Sequence, residues 1–205
     1  MYPSVLETIE KLKAFEITQE RKVLLQTLTE FIQAKFNAGN PINLNFICTH
    51  NSRRSHLSQV WAQAAADFFA IPKVTCYSGG TEETAVFPTV IETLKQQGFQ
   101  ILKIAENGNP VYSIRYNEES QPIIAFSKRY DSAFNPANSF AAIMTCSQAD
   151  GGCPFIPGAE KRIPITFEDP KISDNTPEQS KVYDERSLEI GAEMWHVFSQ
   201  VKQLH

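Results

Sequence analysis

Eight consecutive residues, Cys48-Thr49-His50-Asn51-Ser52-Arg53-Arg54-Ser55, put a nucleophile and a fixed cation at a spacing that can enclose a tetrahedral anion. Five residues between the cysteine and Arg54 let the backbone curl so that successive N–H groups point inward. The planar fork of the Arg54 guanidinium can then clamp two oxygens. A helix starting near Ser55 would add its positive N-terminal end. The same donors favour an anionic sulfur, so Cys48 is expected to act as a thiolate nucleophile. Thr49, His50, Asn51, Ser52, Arg53, Arg54 and Ser55 form the expected oxyanion-binding set.

Two further features carry chemistry. In Cys146-Ser147-Gln148-Ala149-Asp150-Gly151-Gly152-Cys153-Pro154 a pair of thiols brackets two glycines. The glycines allow the segment to change conformation, so Cys146 can reach another sulfur and Cys153 can then reach Cys146. A structural zinc site would want four closely spaced ligands; no Cys-x-x-Cys or histidine pair stands nearby to complete one, so no metal is expected. Phe167-Glu168-Asp169-Pro170 places a carboxyl on a late loop. Asp-Pro is a common turn dipeptide. A carboxyl brought over a bound dianion also keeps its proton more readily than in water, which suits a general acid. Cys76 sits inside an apolar strand pattern and is expected to be inert.

Composition narrows the partners. With 205 residues, 42% hydrophobic, the chain can bury one sizeable core, and a single domain over residues 1–205 is expected. The net charge of -4 gives no basic stripe to track a nucleic-acid backbone. No apolar stretch is long enough to span a bilayer, and Met1 to Phe15 lacks a basic region followed by an apolar run; a cytoplasmic location, without membrane or nucleic-acid partners, is expected. Four cysteines are too few for a disulfide scaffold and read as thiols.

The elements that must position these residues follow from apolar periodicity. Val5, Ile9, Leu12 and Phe15, then Val23, Leu24, Leu28, Phe31 and Ile32, have helical spacing with a break near Ile17-Thr18, giving an N-terminal helical extension over 1–40 that either packs on the sheet or forms a homodimer surface. From 43 to 205 strands and helices alternate. Leu44 to Ile47, Val74 to Tyr77, Phe99 to Ile104 and Phe140 to Thr145 read as strands; Ser55 to Phe69, Pro88 to Gln97 and Pro177 to Leu204 read as helices. Val111 to Arg115 and Pro122 to Phe126 flank a polar turn and read as an inserted hairpin, and Cys146 to Pro177 reads as loop. The expected fold class is α/β, a four-stranded parallel sheet with helices on both faces.

The loop resembles the signature of the low-molecular-weight protein tyrosine phosphatase family. Cys48, Asn51, Arg54 and Ser55 match that family's nucleophile, loop-bracing asparagine, oxyanion-binding arginine and thiolate-supporting serine, and Asp169 before Pro170 matches its general acid. Tyr77-Ser78-Gly79-Gly80-Thr81-Glu82 is similar to its segment after the second strand. The resemblance runs from about Leu44 to the C-terminus and leaves out the N-terminal helices and the 111–126 hairpin. His50 stands where the family usually has glycine, Arg53 where it often has a second cysteine, and Gln59 where its reductase branch often has glutamate.

The cysteine, six residues, cysteine and proline at 146–154 resemble the thioredoxin-coupled arsenate reductases, which share that fold. This resemblance implies reduction of arsenate to arsenite by a relay through Cys48, Cys146 and Cys153, with no bound cofactor and with thioredoxin as the external reductant. The alternative it leaves open is a phosphatase cleaving phosphate monoesters with Cys48, Arg54 and Asp169 alone. A non-catalytic oxyanion sensor is a third reading.

Overall fold

Val5, Ile9 and Leu12 are buried at three- and four-residue intervals, which makes α1 (Pro3–Lys13) a helix with one apolar face. Thr18 then accepts from the Arg21 N–H and starts α2 (Gln19–Asn37), so the break expected near Ile17-Thr18 is an N-cap between two helices. The computed structural model describes residues 1–153 and 155–202; Pro154 and the expected helix end at Leu204 lie outside them.

The central sheet is parallel throughout, in the order β2-β1-β6-β7: β1 (Ile42–Cys48), β2 (Val74–Gly80), β6 (Phe140–Met144) and β7 (Ala159–Pro164). β1 and β6 are buried along nearly their whole length, as inner parallel strands are when both faces are covered. Alternate residues serve different faces. Leu44, Phe46, Ala141 and Ile143 join the main core with α1, α2, α3 (Arg54–Phe68), α4 (Pro88–Gln96) and α6 (Gln179–Ser199). Ile47, Phe140, Ala142 and Met144 face a smaller cluster closed by the short α5 (Ser147–Gly152), Ile156 and Tyr130.

Two strand assignments change. The segment expected as a third parallel strand is β3 (Gln100–Ala105), and it leaves the main sheet to pair antiparallel with β4 (Val111–Arg115), which pairs with β5 (Ile123–Ala125). The expected hairpin is therefore two strands of a three-stranded sheet. β3 is mostly exposed, and its lysine and glutamine would not survive in a doubly covered parallel strand. The fourth parallel strand comes instead from the stretch read as loop. β7, Ala-Glu-Lys-Arg-Ile-Pro, is an edge strand that buries only Ile163, so it carries no apolar run to betray it.

At the opposite edge β2 has a strand partner on one side only, and side chains of α3 occupy part of the other. Gln63 accepts from the Cys76 N–H at 2.9 Å and donates to Val74 O, while Gln59 donates to Cys76 O at 2.9 Å. Two glutamines thus satisfy backbone groups that an exposed edge leaves open. Behind α3, Trp61 Nε1 donates to Ser187, Ser187 to Gln97, and Gln97 to Asp184, tying α3 and α6 to the C-terminal end of α4 by a buried polar chain. α3 is thereby held on both sides, and the loop that precedes it starts from a fixed helix end.

Candidate active site

Between β1 and α3 every carbonyl of the loop is taken from outside. Thr81 N–H donates to Cys48 O, Glu82 N–H to Thr49 O and Phe87 N–H to Ser52 O; Thr84 and Ser127 hydroxyls donate to His50 O, and the His56 ring to Asn51 O. Among the described residues no protein acceptor takes the N–H groups of Thr49 through Arg54. A loop whose oxygens are all turned outward and whose donors are all left over is a cradle for an anion.

The turn that achieves this falls on Asn51, at φ 44, and not on His50. Asparagine tolerates the left-handed region, so the loop closes without a glycine at position 50. Its amide holds the geometry: Nδ2 donates to Ser55 Oγ at 2.9 Å, and Oδ1 accepts the Lys128 N–H at 2.9 Å. Ser55 Oγ lies 3.2 Å from Cys48 Sγ, so the hydroxyl can donate to the sulfur. Gly80 flanks the loop; a Cβ there would sit 2.7 Å from Thr49 O and 2.8 Å from Asn51 N, so the close approach of β2 to the cradle requires glycine.

Arg54 is buried, donating from Nη1 to Phe167 O at 2.8 Å and from Nη2 to Asp169 Oδ2 at 2.5 Å. Asp169 also caps the 3-10 turn Pro170–Ser173 by accepting the Lys171 N–H, which fixes the carboxyl at the rim of the loop. Cys48, His50, Ser52, Arg53, Arg54 and Asp169 line one small cavity. Arg54 and Asp169 also line a neighbouring cavity of about 370 Å³ whose wall includes Cys146, Gln148 and Arg21.

Cys146 abuts the loop. Its sulfur lies 3.4 Å from Thr49 Oγ1, the residue after Cys48, and accepts the Ala149 N–H as the N-cap of α5. It is 1% exposed, so the first of the paired thiols is buried against the site and not displayed on an open loop. Cys153 lies at the far end of α5, and its carbonyl accepts from Arg162. A rise of about 1.5 Å per helical residue puts the two cysteines roughly 10 Å apart along the axis, beyond the roughly 4.4–6.8 Å between Cα atoms that a disulfide spans.

The side chains of Arg53 and His50, which share the small cavity with Cys48, have other partners. The Arg53 guanidinium lies 4.0 Å over the Phe87 ring and is held by Tyr183 and Asp174, leaving its main chain to face the cradle. His50 is half-exposed, 3.5 Å from Glu82. Burial pushes the Cys76 thiol up, as its place in β2 implied. Lys128, His56 and Arg21 also support the site and carry no local signature in the sequence. Arg21 of α2 pairs with Glu193, donates to Thr166 O and lies over the Phe167 ring, so the N-terminal extension braces the strand end that leads to Asp169. Only its position in a helix outside the phosphatase-like region could have marked it. No metal-holding cluster of acidic, histidine or cysteine side chains occurs among the described residues, and no described helix is long and apolar enough to cross a membrane.

A parallel sheet in this order with a cysteine-arginine cradle after its first strand defines the low-molecular-weight protein tyrosine phosphatase fold. A phosphatase of that description from Vibrio cholerae O395 superposes with a TM-score of 0.53 over 77% of this chain and 94% of its own, at 10% identity. Sequence is more specific: an arsenate reductase of Staphylococcus aureus strain Newman is 32% identical over 126 residues, 61% of this chain and 76% of the relative. Arsenate reductase 2 of Staphylococcus haemolyticus strain JCSC1435 is 30% identical over the same shares. No family model matches the sequence. The chain belongs to the arsenate reductase family of enzymes built on this phosphatase fold.

Proposed function

We propose that the protein reduces arsenate to arsenite by a relay of three thiols. The observation that carries this reading is the contact between Cys146 Sγ and Thr49 Oγ1, which brings a second sulfur to the wall of the anion loop. Ester hydrolysis through a phospho-cysteine does not require it.

In the first step the Cys48 thiolate attacks arsenic; an S–As bond forms, and one oxygen leaves as water after taking a proton from Asp169. Arg54 and the loop N–H groups hold the remaining oxygens. In the second step Cys146 attacks Cys48 Sγ. An S–S bond forms, the S–As bond breaks, and its electron pair stays on arsenic, which departs as arsenite. Cys153 then attacks Cys146 Sγ, freeing the Cys48 thiolate and leaving a disulfide between Cys146 and Cys153. A small redox protein of the thioredoxin kind returns that pair to two thiols and supplies the two electrons consumed.

The last transfer cannot occur with α5 intact, given the separation of its two caps, so the helix must unwind during turnover. Gly151 and Gly152 at its C-terminal end, with open space beside both, make that change inexpensive.

Cleavage of phosphate esters needs only Cys48, Arg54 and Asp169, and the same cradle would serve it. The two readings separate on one experiment: disulfide mapping by mass spectrometry after a single turnover with arsenate. The relay expects a Cys48–Cys146 bond trapped in Cys153→Ser and a Cys146–Cys153 bond in the wild-type protein. Arsenate-dependent turnover that persists in Cys146→Ser, with no disulfide at any stage, would sink it.

A further inference from the structure

Lys128 has no task in that relay, yet it is 1% exposed and lies directly behind the anion loop. Its ammonium donates to Phe126 O at 3.2 Å and Ser78 Oγ at 3.4 Å, with the rings of Phe126 and Phe134 centred 4.5 and 5.4 Å away. Burial alone pulls it down to about 7, and no carboxylate among the described residues pairs with it. Among the described residues the one titratable group facing it is His56 of α3; β2 presents Ser78, and the 126–135 segment presents two rings and a carbonyl. Arg129, next in the chain, is turned to Asp131 at the surface. An isolated buried cation is costly, and an apolar side chain of similar length would fill the space at less cost.

The hydrogen bonds around it have only one consistent direction. Asn51 O can only accept, so His56 Nε2 carries the proton of the bond between them at 2.9 Å. His56 is held neutral, pulled down to about 3 by burial and by the Lys128 charge, so its Nδ1 is bare and accepts from the Ser78 hydroxyl at 3.3 Å. Ser78, having given its proton, accepts from Lys128. On the other side the main-chain N–H of Lys128, not its ammonium, donates to Asn51 Oδ1, which forces Asn51 Nδ2 toward Ser55 and leaves the Ser55 proton for Cys48 Sγ.

We propose that Lys128 is a positioning residue for Cys48: its ammonium fixes the direction of the bonds from Ser78 through His56 to the Asn51 carbonyl at the back of the loop, its main-chain N–H orients the Asn51 amide toward Ser55, and its buried positive charge favours a thiolate and an oxyanion in the cradle ahead of it. This deepens the relay reading and rests on Cys48 being the nucleophile. The test is the pH dependence of Cys48 alkylation by iodoacetamide in the full-length protein, followed on the Cys48 peptide by mass spectrometry, with and without inorganic phosphate as competitor. In Lys128→Met the midpoint is expected to move up by about one pH unit or more, and protection by phosphate to need roughly tenfold more of it. Ser78→Ala, which keeps the ammonium but cuts its link to His56, should shift the midpoint in the same direction by less.

A cooperatively melting Lys128→Met protein whose alkylation profile and phosphate protection overlay the wild type would overturn the proposal. Should Lys128→Met not fold, Ser78→Ala decides, and an unmoved midpoint there overturns it. A wild-type Cys48 that alkylates like an ordinary exposed cysteine would instead remove the nucleophile reading and this one with it. A reactive wild-type thiol unaffected by either substitution removes only the role of Lys128.

Discussion

Arg54 Nη2 and Asp169 Oδ2 lie 2.5 Å apart, so the guanidinium assigned to the oxyanion and the carboxyl assigned to the leaving oxygen are partners of each other. An anion entering the loop must share Nη2 with that carboxylate, while Nη1 stays on Phe167 O. Replacing Asp169 by Asn removes both a competitor and a proton donor. Calorimetry should show Asp169→Asn binding inorganic phosphate several-fold more tightly, while arsenate turnover falls by about 10²-fold or more. Equal or weaker phosphate affinity in the variant would mean that the pair does not compete with the anion.

The Thr49 hydroxyl sits between the anion loop and the second thiol, 3.4 Å from Cys146 Sγ and 3.4 Å from Gln148 Oε1. Thr49→Val keeps the shape and removes the polar bridge. Alkylation of Cys48 should then be unchanged, because the contacts of the sulfur run through Ser55 and not Thr49. Formation of the Cys48–Cys146 disulfide after arsenate addition should slow several-fold in quenched-flow mass spectrometry. Slowing of both steps equally would place Thr49 in the first step instead.

What could be read from the sequence was whatever had a local signature. The apolar run at Phe140–Met144, the glycine and proline punctuation around Asn37–Pro41, and the spacing from Cys48 to Ser55 each reflect burial or turn chemistry acting within a few residues. β7 escaped because an edge strand needs only Ile163 inside, and β3 reads as a parallel strand because Ile101, Leu102 and Ile104 look like a buried run, although only five residues separate it from its partner β4. Long-range assembly is what hid Lys128. Nothing beside it in Ser127-Lys128-Arg129 distinguishes a buried ammonium from a solvated one; its environment is assembled from β2, α3 and the Phe134 loop.

Stability should rise with pH in two windows. His56 holds its proton only below about 3 in the folded chain, against 6.5 when exposed. Between those values the unfolded chain binds a proton that the folded one refuses, so this contribution is complete above about 6.5 and lost as pH falls toward 3. Lys128 acts likewise at higher pH: its burial penalty is fully present below about 7 and is relieved as the pH climbs toward its exposed value of 10.5. From pH 7 to 8.5, before Cys76 begins to act in the opposite sense near its exposed value of 9.0, the wild type should gain up to about 2 kcal/mol. Urea titrations of wild type and Lys128→Met across this range check it: the variant should show no such gain. A parallel rise in both proteins would assign the effect elsewhere.

The redox helix offers the sharpest separation of steps. α5 is gripped at its C-terminal end by Arg162, which donates to Cys153 O and pairs with Asp150, and it must be released before Cys153 can reach Cys146. Gly151 and Gly152 have open space where a side chain would go and are not in left-handed conformations, so Gly151→Ala with Gly152→Ala should stabilise the helix by about 2 kcal/mol in total. Unwinding then costs that much more, and transfer of the disulfide from Cys48–Cys146 to Cys146–Cys153 should slow by roughly 10- to 30-fold. Arg162→Ala should hasten the same step. Cys48 alkylation and formation of the first disulfide should stay at wild-type rates in both variants, since neither reaction moves the C-terminal end of α5. If the double alanine variant passes its disulfide on at the wild-type rate, the helix does not have to open, and the two thiols must meet by a route other than the unwinding of residues 147–152.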